Sequence, residues 1–223
     1  MIHIENLTFQ YKVKNRSTAP TIQIPALRIQ THHKTMLSGK SGCGKTTLLN
    51  LMTGILLPQA GRIQIDNRNI PEMRDAARRL YRLNHIGYVL QEFSLIPHLK
   101  LQDNIKLPFF INPDFKWKRQ HQANMQDLTE RLKLQPLLHK YPPQLSVGEK
   151  QRTCLCRALV TRPKLILADE PTANLDEGNR DEVLRILDEY VNAEQATLLM
   201  VCHDKSIQNW FDDHIAFEDI NHV

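Results

Sequence analysis

The chain has 223 residues, of which 41% are hydrophobic and 24% are charged, and its formal net charge is +5. This length suffices for one large domain or two small ones with a sizeable core, and the composition is that of a soluble globular protein. The sequence has no apolar run near the roughly 18 residues that span a bilayer, and its start lacks the layout of a secretory signal, so we expect a cytoplasmic protein.

The N-terminal part alternates between strand-like and helical patterns. Its predicted elements are strands over 2–9 and 22–24, a short strand over 35–38, a helix over 46–53, an edge strand over 61–66, a helix over 71–83 and a buried strand over 86–90. Polar residues and a proline over 12–21, between the first two strands, indicate a loop.

A glycine-rich segment follows the short third strand. It matches the pattern G-x-x-x-x-G-K-[ST] in full and consists of Gly39, Lys40, Ser41, Gly42, Cys43, Gly44, Lys45 and Thr46, with Thr47 next in the chain. Glycines allow such a loop to turn its N–H groups inward, and the helix that follows adds its positive end. Lys45 is then expected to reach the phosphates and Thr46 to bind Mg²⁺, so the sequence predicts a nucleotide site.

Residues 98–145 differ from the rest of the chain. Helical patterning dominates from Asp114 to Leu138 and prolines punctuate the segment, among them Pro108, Pro113, Pro142 and Pro143, so we predict a helical insertion of about 98–145 in a core made of 1–97 and 146–223. Alternation then resumes with a helix over 146–161, strands over 164–168, 197–202 and 214–218, and helices over 178–193 and 204–210. This order predicts an α/β fold with a largely parallel sheet covered on both faces.

Two carboxylates end the apolar run that starts at Lys164. Ligands gather at the carboxyl ends of parallel strands, which favours Asp169 as a Mg²⁺ ligand and Glu170 as the group that activates water.

The segment Leu145–Arg152, called the signature segment below, contains an S-x-x-E capping box formed by Ser146 and Glu149. It resembles the signature motif of ABC-type ATPases. Family motifs match in order along essentially the whole chain: Tyr11 resembles the aromatic residue that stacks on adenine, Gln91 the Q-loop glutamine, Asn174-Leu175-Asp176 the D-loop and His203 the switch histidine.

This resemblance implies a P-loop ATPase core in one domain, 1–223, with an antiparallel β subdomain and an inserted helical subdomain. It implies ATP and Mg²⁺ as ligands, the metal being held by Thr46, Gln91 and Asp169. It also implies a head-to-tail homodimer in which Ser146 and Gly148 of one copy close over the γ-phosphate of the other. In this scheme Glu170 acts as general base, and His203 stabilises charge near the γ-phosphate.

Residues 91–99 and 168–176 resemble the ATPases of lipoprotein release, macrolide export and cell-division complexes. The resemblance therefore implies a separate membrane permease and a peripheral position on the inner face of the cell membrane. Candidate docking residues are Phe93, Leu95, Ile96 and Leu99. A soluble ABC ATPase without a transporter and a P-loop kinase are the alternatives, although a kinase leaves the signature segment unexplained. Val147 departs from the family, which has glycine there.

Two further features carry expectations. The 74/78/82 spacing places three arginines on one helical face, which indicates a solvated face or a contact with anionic lipid or an acidic loop, and not nucleic acid, since no aromatic residues interleave. The four cysteines lack zinc spacing and are expected to be reduced, with Cys154 and Cys156 in the core. Cys43, at a helix N-terminus, is expected to be reactive.

Overall fold

The computed structural model describes residues 1–11, 21–90, 94–113, 116–173 and 175–223. These residues form two compact units, one made of Met1–Arg82 and Thr197–Val223 and the other of Leu83–Ala196. The assignment of 1–223 to a single domain, with a helical insertion at 98–145, stays a prediction.

The elements follow the predicted alternation. In chain order they are β1 (Ile2–Gln10), β2 (Thr21–Ile29), β3 (Lys34–Ser38), α1 (Lys45–Met52), β4 (Ala60–Ile65), β5 (Arg68–Asn69), α2 (Asp75–His85), β6 (Ile86–Val89), α3 (Leu101–Ile111), α4 (Arg119–Arg131), α5 (Val147–Leu159), β7 (Leu165–Asp169), α6 (Glu177–Glu194), β8 (Thr197–Val201), β9 (Asp213–Ala216) and α7 (Phe217–Ile220). Short 3₁₀ helices cover Gln135–Leu137, Pro142–Gln144 and Lys205–Trp210.

The first unit contains an antiparallel sheet with the strand order β2-β1-β4-β5. β4 therefore lies between two strands, and the prediction that it is an edge strand is wrong. The edge strands are β2 and the two-residue β5, and β2 extends well beyond the predicted 22–24 because it continues through Pro25. An edge strand tolerates proline, since the outer side needs no N–H donor.

Three parallel strands of the same unit carry the candidate site. β3 pairs with β8 on one side and with β9 on the other, in registers that set Leu37 opposite Val201 and Ile215. All five residues of β8 and the central three of β3 are buried. Such continuous apolar runs are typical of parallel strands covered on both faces.

α2 starts at Asp75 instead of the predicted position 71. Its arginines do not form the solvated face that the spacing indicates, because Arg78 is only 8% exposed. The Arg78 guanidinium donates from Nε to the Gly54 carbonyl (2.8 Å) and from Nη1 to the Met73 carbonyl (2.9 Å), and it pairs with Asp75. Arg82 likewise donates to the Thr53 carbonyl (3.0 Å). These two arginines hold the turn after α1 against α2.

The second unit pairs β6 with β7 in parallel, and its remaining regular elements are helical. The predicted helical character of 98–145 is confirmed, although α3 lies before the segment where the pattern is strongest and continues through Pro108. Within the described ranges, no helix has both the length and the apolar character needed to cross a bilayer.

Candidate nucleotide-binding site

The phosphate loop (residues 39–46) connects β3 to α1 in the first unit. Three of its glycines have positive φ, and Gly44 at 119° occupies a conformation that L-residues rarely adopt. Lys45 is the first residue of α1 and is 5% exposed. Its ammonium group donates to the carbonyls of Gly39 and Lys40, both at 2.8 Å, and lies 3.7 Å from the Cys43 sulfur.

The loop leaves no room for side chains at two of its glycines. A Cβ on Gly39 would lie 2.9 Å from the Phe217 Cβ, and one on Gly44 would lie 3.2 Å from the edge of the same ring. Phe217 is 1% exposed and begins α7. The loop therefore rests directly on the C-terminal helix.

The remaining predicted residues of the loop surround this contact. Lys40, Ser41 and Thr46 have exposed side chains, Cys43 is half-buried, and Thr47 is buried. The Tyr11 hydroxyl lies 3.2 Å from the Thr47 hydroxyl, and the Tyr11 ring packs edge-on against Phe9 with 4.9 Å between centroids. The structure thus brings the predicted adenine-stacking residue to the start of α1, with 39% of Tyr11 exposed.

His203 follows β8, which is adjacent to β3, the strand that leads into the phosphate loop. Since β3 and β8 are adjacent and parallel, their carboxyl ends reach the same edge, and the Cys202 N–H donates to the Leu37 carbonyl at 3.2 Å. The exposed side chain of His203 follows directly. This part of the predicted site is assembled within one unit.

The two predicted carboxylates lie at the end of β7 in the second unit. Asp169 is its last residue and is 1% exposed. Glu170 follows with a φ of 48°, a left-handed conformation that is costly for a residue with a side chain. Strained backbone of this kind clusters at functional sites. β6 runs parallel to β7, but Gln91, which follows it, lies outside the described residues.

The signature segment forms the N-terminus of α5 with the predicted capping box. The Glu149 N–H donates to Ser146 Oγ (3.3 Å), and the Ser146 N–H donates to a Glu149 carboxylate oxygen (2.6 Å). This second bond holds the pKa of Glu149 below its usual value. Val147 is 48% exposed, and a Cβ on Gly148 would meet Leu175 at 3.3 Å.

Asp176 caps the next helix. Its carboxylate accepts from the Asn179 N–H at 3.0 Å, and bonds to Asn179 hold its pKa below its usual value. Asn179 in turn accepts from Arg152 Nη1 at 3.0 Å, which ties α6 to α5. Asn174 lies outside the described residues.

Sequence reasoning missed one residue that contacts the phosphate loop, Glu218, and one that supports the loop before α3, Asn104. Residues 214–218 were predicted as a strand, but β9 ends at Ala216 and α7 begins, so that the Glu218 carboxylate accepts from the Lys40 N–H at 2.8 Å. Asn104, fully buried on α3, bonds the backbone of the 96–100 loop through Ile96, Leu99 and Lys100. Acidic residues at the start of a short C-terminal helix were the only available signal for Glu218.

Comparison with known proteins agrees with these features. The ABC transporter family model matches residues 23–173. The chain is 31% identical over 207 residues to the lipoprotein-releasing system ATP-binding protein LolD of Chromohalobacter salexigens, which covers 93% of this chain and 86% of LolD. It is 33% identical over 219 residues to the macrolide export ATP-binding/permease protein MacB of Rhodopirellula baltica, covering 98% of this chain but 32% of MacB.

A solved structure supports the same family by its fold. The dimeric structure of a post-hydrolysis state of the ATP-binding cassette MJ0796, bound to ADP and Pi, has a TM-score of 0.89 at 28% identity and covers 97% of this chain and 94% of that one. The predicted fold class is thereby confirmed. With a phosphate loop, a capped signature segment and a family match over most of its length, the chain belongs to the ABC transporter family as an ATP-binding subunit.

Proposed function

We propose that this chain binds and hydrolyses ATP to drive a separate membrane permease. The observation that carries the proposal is the phosphate loop, in which the Lys45 ammonium is held by two carbonyls and Thr46 follows at the start of α1. We place the phosphates of ATP in residues 39–46 and its adenine on Tyr11, whose hydroxyl reaches Thr47.

Hydrolysis is assigned to residues that follow parallel strands. Glu170 is the proposed general base for the attacking water, and His203 the group that stabilises charge near the γ-phosphate. Gln91 is proposed to take part in positioning the water and the metal. The left-handed backbone at Glu170 supports its role, because such strain is retained where a side chain must take one direction.

Mg²⁺ is the proposed cofactor, and the donor chemistry fits it. Thr46 offers a hydroxyl, Gln91 an amide oxygen and Asp169 a carboxylate, which are the hard oxygen donors that this ion prefers. No group of three or more His, Cys, Asp or Glu side chains suited to a metal occurs in the described part of the chain. The ion would therefore be held jointly with the ATP phosphates, whose negative charge it would offset.

We propose that the working form is a head-to-tail dimer. The dimeric structure of the MJ0796 cassette supports a dimeric assembly. Ser146 and Gly148 of one copy would contact the γ-phosphate bound to the other. Asp176 is proposed to lie at the same nucleotide. The exposed Val147 would then also face the partner, where the family has glycine.

The permease is proposed to dock on the 94–100 loop. Ile96 is 38% exposed there, and Asn104 fixes the loop backbone, so the apolar side chain is presented on a rigid support. Through this contact the chain would be peripheral at the inner face of the membrane. The proposed subfamily is that of lipoprotein release and macrolide export, which the similarity to LolD and MacB supports.

The test of hydrolysis is Glu170→Gln. We expect this variant to bind ATP, to accumulate as a dimer and to hydrolyse ATP about 10²–10⁴-fold more slowly, since that is the usual contribution of a general base. Phosphate release and sizing by light scattering measure these effects. Glu177→Gln is the control, because its carboxylate is 84% exposed on α6 in the same unit. Near-normal turnover in Glu170→Gln would overturn the assignment.

The alternative of a soluble ABC ATPase predicts a different outcome. A transporter subunit should co-purify with membranes that contain its permease, and Ile96→Asp should abolish this while leaving ATP binding intact. A chain that never associates with membranes when expressed with its neighbouring gene products would favour the soluble class. Release of ADP and free phosphate separates both classes from a kinase.

A further inference from the structure

The peptide group between Gly39 and Lys40 is bonded on both sides. Its carbonyl accepts from the Lys45 ammonium at 2.8 Å, and its N–H donates to the Glu218 carboxylate at 2.8 Å. A charged donor and a charged acceptor on one peptide polarise it in the same direction, so each bond strengthens the other. The orientation of this peptide therefore depends on Glu218, and the position of the Lys45 ammonium depends on the peptide.

Glu218 stands on a fixed support. Phe217, its neighbour, is buried against Gly39 and Gly44. The end of α7 is bonded to β2 in both directions, since the Gln23 N–H donates to Asn221 Oδ1 (2.8 Å) and the His222 N–H donates to the Gln23 carbonyl (2.8 Å). The helix is thus held in place independently of the Glu218 side chain, which is exposed and is not needed to fill the core.

The charges around Glu218 agree with this contact. The bond from the Lys40 N–H contributes most to holding the pKa of the Glu218 carboxyl below its usual value, and the positive charges of Lys40 and Lys45 contribute less. The group is therefore a carboxylate near neutral pH and a full acceptor. The carboxylate is thus bonded to the backbone of the phosphate loop itself.

We propose that Glu218 is a positioning residue for nucleotide binding, which orients the Gly39–Lys40 peptide and through it the Lys45 ammonium. The inference rests on the proposed placement of ATP at residues 39–46. It extends the site to the C-terminal helix, which none of the motifs includes. Glu218 does not contact the nucleotide itself in this scheme.

The test compares three substitutions at Glu218 in the purified full chain. Glu218→Ala removes the acceptor, Glu218→Asp keeps the charge but shortens the side chain, and Glu218→Gln keeps an acceptor oxygen without the charge. We expect the first two to weaken binding of a fluorescent ATP analogue about 3- to 10-fold, the loss typical of one hydrogen bond, and to raise KM with kcat within about twofold. Glu218→Gln should lose less affinity than Glu218→Ala, because it keeps the acceptor oxygen but not the charge that strengthens the bond.

Asp219→Asn is the matched control, because Asp219 is the next residue, acidic and equally exposed. Amide hydrogen exchange gives a second readout: the Lys40 N–H should exchange faster in Glu218→Ala but not in Glu218→Gln. Equal affinity of Glu218→Ala and wild type would overturn the proposal. So would a loss in Asp219→Asn as large as in Glu218→Ala, since negative charge near the loop, and not the bond to Lys40, would then be the cause. Failure of the wild-type chain to bind the analogue would instead refute the placement of ATP.

Discussion

Lys45 carries its charge in a nearly closed environment of protein carbonyls. A buried ammonium group is costly unless its donors are bonded, and here two of the three N–H groups point at the carbonyls of Gly39 and Lys40. The third is directed at the Cys43 sulfur, a weak acceptor at 3.7 Å. A phosphate oxygen is a far better acceptor than this sulfur. The third N–H group of Lys45 would therefore form a stronger hydrogen bond when a phosphate binds.

The same geometry makes Cys43 a site at which chemical modification should weaken ATP binding. Cys43 is half-buried, whereas Cys154, Cys156 and Cys202 are buried and burial raises the pKa of Cys154 to about 11. We expect a maleimide reagent to label Cys43 first and to weaken ATP binding, because the adduct would occupy space next to the Lys45 ammonium. ATP should slow the labelling, which mass spectrometry can follow.

Cys43→Ser is the control for this experiment, since it removes the thiol with little change in size. Its ATP affinity should resist the reagent. If complete labelling of Cys43 left ATP binding unchanged, we would conclude that the thiol does not lie next to the bound phosphates.

At the residue scale, the motifs were predictable because their chemistry is local. The capping box of Ser146 and Glu149 involves positions three residues apart, so the pattern and the structure agree. The contact of Glu218 with Lys40 joins residues 178 positions apart. No sequence pattern relates residues so far apart. The donor to the Glu218 carboxylate is also a backbone N–H, which has no signature in the sequence.

At the scale of elements, the arginines of α2 show how a helical face is misread. Spacing alone predicts that Arg74, Arg78 and Arg82 share a face, but not whether that face meets water or protein. Arg78 donates to the carbonyls of Gly54 and Met73, and these belong to turns whose positions the sequence does not give. Arg78 and Arg82 therefore stabilise the contact between α2 and the turn after α1 instead of forming a solvated face.

The stabilising role of Arg78 can be tested by comparison with Arg79, because both arginines pair with the Asp75 carboxylate. Arg78→Ala should lower the free energy of unfolding by about 2–4 kcal/mol, because it removes the side-chain donors to the Gly54 and Met73 carbonyls together with the packing of a buried side chain. Arg79 also pairs with Asp75 but its side chain is 65% exposed. Arg79→Ala should cost below about 1 kcal/mol.

Urea denaturation of both variants measures the difference. Equal losses would mean that the shared pair with Asp75, and not the carbonyl bonds of Arg78, is what stabilises α2.

The extent of β2 and the presence of α7 were also beyond the sequence pattern. Pro25 interrupts the alternation in β2, and proline normally ends a predicted strand. The segment 214–218 alternates like a strand, but backbone pairing with β3 ends at Ala216, and Phe217 turns under the phosphate loop instead. Tertiary packing decided both, whereas the buried strands β7 and β8 were predicted within about one residue because their apolar runs are unambiguous.

At the scale of the whole molecule, the division of the motifs between two chains is open to a direct experiment. A subunit with Lys45→Ala keeps its signature segment, and a subunit with Ser146→Arg keeps its phosphate loop. In a head-to-tail dimer of the two, one site combines both defects and the other has none. Mixing two inactive variants should therefore restore about a quarter of the wild-type ATPase rate, because half of the dimers are mixed and each has one intact site.

The control is a mixture of Lys45→Ala with the double variant that carries both changes, which offers no intact pair. Activity in the first mixture and none in the second supports the shared site. If neither mixture is active although mixed dimers form, each chain holds its own complete site, and the role of Ser146 must be local.

A cassette of this kind has to associate with one partner copy without polymerising. β2 is the outer strand of the antiparallel sheet and carries exposed residues at alternating positions, with Pro25 and Arg28 among them. An open strand edge is a template for further strands, and proline and charge are the usual means of blocking it. Pro25, together with the bonds of Asn221 and His222 to Gln23, therefore limits edge-to-edge pairing at β2, and Pro25→Val should make the purified chain aggregate more readily.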